Sequence, residues 1–153
     1  MIEDYKTNNP FDVLLNGFEI DFQTRLWYLP KKLRGLVFSC NYTRTYSKVK
    51  YPRTIIDHEI IFEPYLQVTT SNVDTFYVDR LLDQPKDIIN YSIGYDYLGF
   101  SGGLSMNYIS NIFSGTNFWP ELRQDTDAYQ RYDLSLKQKL PVKGLELFFN
   151  VNN

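Results

Sequence analysis

Few residues in this chain are equipped to do chemistry, and they are scattered. His58 is the only histidine and stands between Asp57 and Glu59. A metal site or a general base needs partners at defined spacing, and none recurs around it, so His58 reads as a solvated loop residue. Glu19 and Asp21 are two apart, which sets them on one face of an extended segment at roughly the separation of paired carboxylates. Gln23 and Arg25 continue that row, so a charged wall is the better reading. Asp125-Thr126-Asp127 offers oxygens to Ca²⁺, but two acids in a polar stretch are commonplace. Cys40 is the single cysteine, which excludes intrachain disulfides and cysteine metal knuckles; its place in an apolar row predicts a buried, inert thiol. No G-x-S-x-G elbow or phosphate-binding glycine loop is present, and Ser101-Gly102-Gly103 is explained by a turn. With no nucleophile–base pair to name, the chain is not expected to be an enzyme or to hold a cofactor.

Recognition residues are a different matter. Bases and aromatics gather in two long connections, at Lys48, Lys50, Tyr51, Arg53, Phe62, Tyr65, Phe118 and Trp119. Loops on a rigid scaffold commonly carry binding, so Arg53, Tyr65 and Trp119 are the candidates for a ligand mouth, with self-packing of the loops as the competing account. Asn41-Tyr42-Thr43 and Asn90-Tyr91-Ser92 match the glycosylation pattern, yet both fall inside predicted strands.

The elements that must position these residues alternate with a period of two. Phe18, Ile20, Phe22 and Leu26 point one way, and Glu19, Asp21, Gln23 and Arg25 the other. Leu36, Phe38, Cys40 and Tyr42 alternate with Val37, Ser39, Asn41 and Thr43, while Arg44 interrupts the apolar row. This is the signature of pleated strands. Pro30 and Gly35 mark the reversal between the two. The pattern recurs, predicting an all-β antiparallel up-and-down meander of about six long strands at 17–29, 35–47, 87–98, 101–111, 129–139 and 144–153. Irregular loops are expected at 48–86, with short strands inside it near Val68–Thr70 and Thr75–Val78, and at 112–128. Residues 1–16, with Asn8-Asn9-Pro10, read as a loop or the end of a further strand. No segment combines helix caps with a 3.6 period.

The 153 residues carry a formal charge of −2 with both signs interspersed, so no field gathers nucleic acid. Aromatics are 17% of the chain, 13 of them Tyr, which suits strands. No apolar run is long enough for a membrane helix, whereas a membrane strand needs only ~9–11 alternating residues. Met1-Ile-Glu-Asp-Tyr-Lys lacks the features of a signal peptide, so the expectation is either a cytoplasmic protein or one whose N-terminus lies further upstream. Three features favour a transmembrane barrel over a soluble β domain that binds a small apolar ligand. The strands are long, aromatics cluster towards their ends, and short turns alternate with long loops. The face opposite the apolar rows is small and polar (Ser39, Asn41, Ser92, Gly94, Gly103, Ser105, Asn107), as the wall of a wet lumen would be. On this reading Phe18, Ile20, Phe22, Leu26, Leu36, Phe38, Tyr91, Ile93, Leu104, Met106, Leu134, Leu136, Leu147 and Phe149 face outer-membrane lipid.

Three stretches in order resemble one family. Gly17-Phe-Glu with Leu29-Pro30, Leu33-Arg-Gly-Leu36 and Asn41-Tyr-Thr43 is similar to the "G-x-E … L-P … L-x-G-L … N-Y-T" hairpin of TonB-dependent outer-membrane receptors. Residues 83–108 and 131–153 resemble the next two hairpins. The resemblance implies a late portion of a barrel of about 22 strands closed by a plug, located in the outer membrane. It also implies coupling to TonB and energised uptake of a siderophore, vitamin, glycan or similar nutrient. The plug and the TonB box are outside the likeness.

Overall fold

The computed structural model describes residues 8–62, 64–117 and 119–153. Met1–Lys6, weighed above as a leader, and Phe118, a loop aromatic, lie outside them. Among the described residues the chain is β throughout, with two short 3₁₀ turns, Lys31–Gly35 and Pro120–Leu122. The strands are β1 (Leu14–Arg25), β2 (Leu36–Ile61), β3 (Gln67–Asp79), β4 (Asp87–Tyr97), β5 (Phe100–Ile109), β6 (Ile112–Gly115), β7 (Gln124–Thr126), β8 (Tyr129–Lys139) and β9 (Glu146–Asn152). The main sheet is antiparallel with order β1-β2-β4-β5-β8-β9, and β3 pairs with β2 off that path; β6 and β7 form a separate ribbon. The sheet is open.

Its turns follow from local chemistry. Leu98 (φ 46) and Gly99 (φ 82) both sit in left-handed backbone between the paired Tyr97 and Phe100. A two-residue loop with positive φ at both positions matches the right-handed twist of the flanking strands. Ser101-Gly102-Gly103 is therefore not the turn; it opens β5, where Gly102 faces Tyr95 and Gly103 faces Gly94. Gly144 (φ 83) closes the β8–β9 turn, in which Leu140 N donates to Leu145 O. At the first hairpin β1 ends at Arg25, Leu26 N still donates to Leu36 O, and Lys31–Gly35 then turns the chain. Trp27 and Tyr28 thus lie beyond the strand.

The largest departure from the sequence pattern is at 48–86. This segment is not an irregular loop. β2 runs on to Ile61, and thirteen of its residues pair with β3, from Val49↔Asp79 to Ile61↔Gln67. Pro52 is tolerated because the even-numbered backbone groups here point away from β3. Lys50 O, two residues earlier, accepts from Asn9 Nδ2 instead, so the missing Pro52 N–H removes no β2–β3 bond.

The chain divides into two compact units. One comprises 17–45, 85–112 and 126–153, which carry the wall strands. It is a single layer of sheet, and among the described residues it buries no apolar side chain. The other comprises 1–16, 46–84 and 113–125. It holds all three buried apolar residues: Val49 (2% exposed), Tyr51 (9%) and Phe113 (0%). Tyr77, Leu81 and Leu82 pack against them. The described residues of the two long connections and of the N-terminal segment, where Asn9 Nδ2 donates to Lys50 O and Phe11 meets Phe76, therefore fold together rather than hanging as separate loops.

Candidate functional site

In the wall unit the register assembles side chains into rows that cross the strands, because residues opposite one another in a pleated sheet share a face. One row is Phe38↔Ile93↔Leu104↔Leu134↔Val151, entirely apolar over five strands. Its neighbours are Leu36↔Tyr95↔Gly102↔Leu136↔Phe149 and Cys40↔Tyr91↔Met106↔Tyr132. β1 joins the same face through rings: Phe18 meets Tyr42 edge-on with centroids 5.7 Å apart, and Phe22 meets Phe38 at 6.0 Å. Thirteen of the fourteen residues read as an outward surface share this face; Leu26 lies past the end of β1. Cys40 is on it too, half-exposed rather than buried, because no second layer covers it.

The opposite face consists of short polar ladders. Ser39↔Ser92↔Ser105↔Asp133 and Asn41↔Asn90↔Asn107↔Arg131 lie side by side. Ser39 and Ser92 share a hydrogen bond of 2.7 Å, Asn107 Nδ2 donates to Asn90 Oδ1, and Asn41 Nδ2 donates to Glu19 Oε1 at 2.7 Å. Arg131 Nε and Asp133 Oδ2 are 2.9 Å apart. Glu19 is thereby part of a hydrogen-bonded wall, not one member of an acid/base pair. The Asn41 amide nitrogen and the Asn90 amide oxygen, both within strands, are thus engaged by side chains of neighbouring strands.

The apolar face has chemical borders. Towards the long connections it ends at Arg44↔Asp87, where Tyr42 Oη donates to Asp87 Oδ1 at 2.8 Å and Arg44 Nη1 lies 3.7 Å from the same oxygen. Towards the short turns it ends at Tyr97↔Phe100↔Gln138↔Leu147, with Tyr95 stacked on Tyr97 at 6.2 Å. On β4 the two borders are the ends of an eleven-residue strand, the length a tilted strand needs to cross hydrocarbon.

The second unit is tied by ion pairs between its two long connections. Arg123 pairs with Asp79 and, at 3.4 Å, with Asp125; Arg80 pairs with Asp125 as well. The Arg123 guanidinium also lies over the Phe113 ring at 5.9 Å. Its hydrogen bond and proximity to Asp79 hold it protonated to still higher pH than a free arginine. Asp125 is thus committed to arginines, which removes the Ca²⁺ reading of Asp125 and Asp127; no group of metal-holding residues occurs among the described residues. His58 lies on β2 opposite Thr70, its Nδ1 3.4 Å from Thr70 Oγ1. Tyr51 Oη donates to Arg80 O at 3.0 Å and accepts from Leu82 N at 3.2 Å. Burial pushes the Tyr51 phenol above its ordinary value, and burial with the nearby Asp79 charge does the same to Tyr77.

Of the three ligand-mouth candidates, Tyr65 lies apart from Arg53 on the β2–β3 hairpin. Arg53 lies on β2 opposite Thr75, next to Tyr51 and Tyr77. Tyr65 is exposed in the turn beyond Ile61, which is itself eight register steps along the hairpin from Arg53. Trp119 is exposed ahead of the 3₁₀ turn in the other connection. The sequence pattern missed Val49, Phe113, Asp79 and Arg123, which organise this unit. Only Phe113 beside the β-prone Ile112 carried a local signal.

The family model described as "TonB dependent receptor-like, beta-barrel" matches residues 4–153. The chain belongs to the TonB-dependent receptor β-barrel family. Its open antiparallel sheet, with one apolar and one polar face, is a portion of such a receptor barrel. Neither a curated protein nor a solved structure matches the chain. Membership of this family supports a TonB-dependent receptor role.

Proposed function

We propose that this chain forms wall strands and external loops of an outer-membrane receptor that takes up a nutrient such as a siderophore, vitamin or glycan. The outer-membrane lipid and TonB are its partners. The apolar face meets lipid through the thirteen residues sharing it, Phe38, Ile93, Leu104 and Leu134 at its centre. The polar ladders line the interior. One observation carries this reading: an unbroken apolar row crosses five strands of a single-layer sheet, and among the described residues of that unit no second layer covers it. In water such a face would aggregate; in a bilayer it is at its free-energy minimum. The polar face cannot take that place, since Arg131 and Asp133 would each be costly in hydrocarbon.

Spin labels on cysteines at Ile93 and at Ser92, in a Cys40→Ala background of the receptor carrying this chain, test the assignment. In bilayers the label at 93 should relax with dissolved oxygen and the label at 92 with a water-soluble nickel complex. Equal or reversed accessibilities would overturn it. A soluble domain with an apolar ligand inside would need the apolar rows to enclose a cavity, and the open sheet gives that reading no support.

A further inference from the structure

We infer that Arg53 is the anchor of an anion-recognition cleft in the unit formed by the long connections, one that takes a carboxylate- or phosphate-bearing ligand. The inference rests on the reading of this chain as an uptake receptor and names the chemistry of what the receptor captures.

Three observations converge on it. First, the arginines around the unit's core are used differently. Arg80 and Arg123 are spent on Asp125 and Asp79. Arg53 has no ion pair with any described residue, and its Nε is buried without a hydrogen-bond partner among them. The guanidinium's charge is thus left uncompensated by the described residues, and an outside acceptor meeting its terminal nitrogens would gain charge-assisted bonds that no neighbour already takes. Second, there is space for that acceptor. Arg53 lines a cleft of about 260 Å³ with Tyr51, Pro52, Tyr77, Thr116 and Asn117. That is enough for a carboxylate or phosphate group with part of the molecule bearing it, and the cleft opens outward. Third, the walls suit an anion. No carboxylate lines the cleft, and the Thr116 hydroxyl and Asn117 amide are donors at its margin. Of the hairpin's acids, Asp74 sits opposite Thr54 and accepts from Thr54 Oγ1 at 2.8 Å, and Asp79, on the cleft's own face, is taken up by Arg123.

The floor is rigid, which favours recognition over adventitious contact. Tyr51 and Tyr77 are stacked with centroids 5.5 Å apart, and Tyr51 also abuts the fully buried Phe113 at 5.8 Å. Tyr51 is pinned at its hydroxyl by Arg80 O and Leu82 N. The guanidinium therefore projects from a fixed strand beside fixed rings. A planar fork held in this way can meet a carboxylate or phosphate with two parallel charge-assisted bonds, which an ammonium cannot.

The test is a thermal-shift and calorimetric titration of the purified receptor carrying this chain. The probes are citrate and inorganic phosphate, with sodium chloride at matched ionic strength as the reference. Saturable stabilisation by citrate or phosphate beyond chloride is expected, and whichever binds more tightly identifies the anion class. Arg53→Gln should weaken that binding at least about tenfold, and Arg53→Lys should fall between the two, since it keeps the charge and loses the fork. Spin-label accessibility at Ile93 in each variant reports that the wall is still inserted. The inference is overturned if neither anion outperforms chloride, or if Arg53→Gln binds as the parent does. Either result with the Ile93 label still in lipid sinks the cleft alone, whereas a water-exposed Ile93 sinks the receptor reading instead.

Discussion

Leu134→Arg is the most demanding test of the apolar face, because its cost can be worked from the register. Leu134 stands between Leu104 and Val151 in the row that also holds Phe38 and Ile93. On β4 that row is at Ile93, six residues from Asp87 at one border and four from Tyr97 at the other. At ~3.3 Å per residue and a tilt near 45°, ten residue steps cover roughly 23 Å of depth, close to the ~25 Å apolar band of membrane barrels. The row then lies about 9 Å inside one border and about 14 Å inside the other, close to the midplane. An arginine there should cost ~2–4 kcal/mol, or a shift of roughly 30- to 900-fold in the folding equilibrium. Gln138→Arg, on the same strand and face but in the border row, should cost only about 0–1 kcal/mol. Ser135→Arg, one residue along but on the polar face, should cost similarly little. The assay is reversible urea unfolding of the receptor in lipid vesicles, followed by tryptophan fluorescence. Equal costs at 134 and 135, or no difference between 134 and 138, would refute both the face and the depth.

Two further outcomes follow from local features. Leu98 is 84% exposed and holds φ 46 in the β4–β5 turn, so Leu98→Gly relieves left-handed backbone strain while removing no packing; thermal unfolding should show a gain of about 1 kcal/mol, and a loss would mean the side chain has a role in the turn. Tyr51 and Tyr77 have folded pKa values raised above the unfolded value near 10, so their protonated forms are favoured by folding. Their contribution is fully present below about pH 10 and is lost as pH rises through the raised values. Ultraviolet titration should show the absorbance step of these two phenols lagging in the parent and missing from a Tyr51→Phe, Tyr77→Phe variant; no lag would mean that the rings are solvated.

The strands of the main sheet were legible in the sequence because a sheet with one apolar and one polar face must alternate along every strand, and nothing else in the chain had to be known to see it. Phe38, Ile93, Leu104 and Leu134 declare their face one strand at a time. The extension of β2 was hidden for a physical reason. From Val49 to Ile61 the hairpin carries Lys50, Pro52, Arg53, Asp57 and Glu59 among its β-branched residues, so no clean period marks it. The core of the second unit was beyond reach for another. Val49, Tyr77 and Phe113 come from three separate stretches, and only the folded chain brings them into one cluster. Arg53 could be picked out by composition as a binding candidate, but its difference from Arg80 and Arg123 depends on where Asp79 and Asp125 end up.

A wall one layer thick also shapes how this chain can change over time. With the apolar face in lipid and the polar face in water, as proposed, a substitution at Ser92 would answer to one solvent and a substitution at Ile93 to another, and neither would have to be matched by repacking elsewhere. Tolerance along β4 and β5 should flicker residue by residue, polar changes passing at one position and purged at the next. Neighbouring positions of the same strand are then free to diverge under unrelated pressures, leaving the inner surface open to new cargo while the outer one stays fixed.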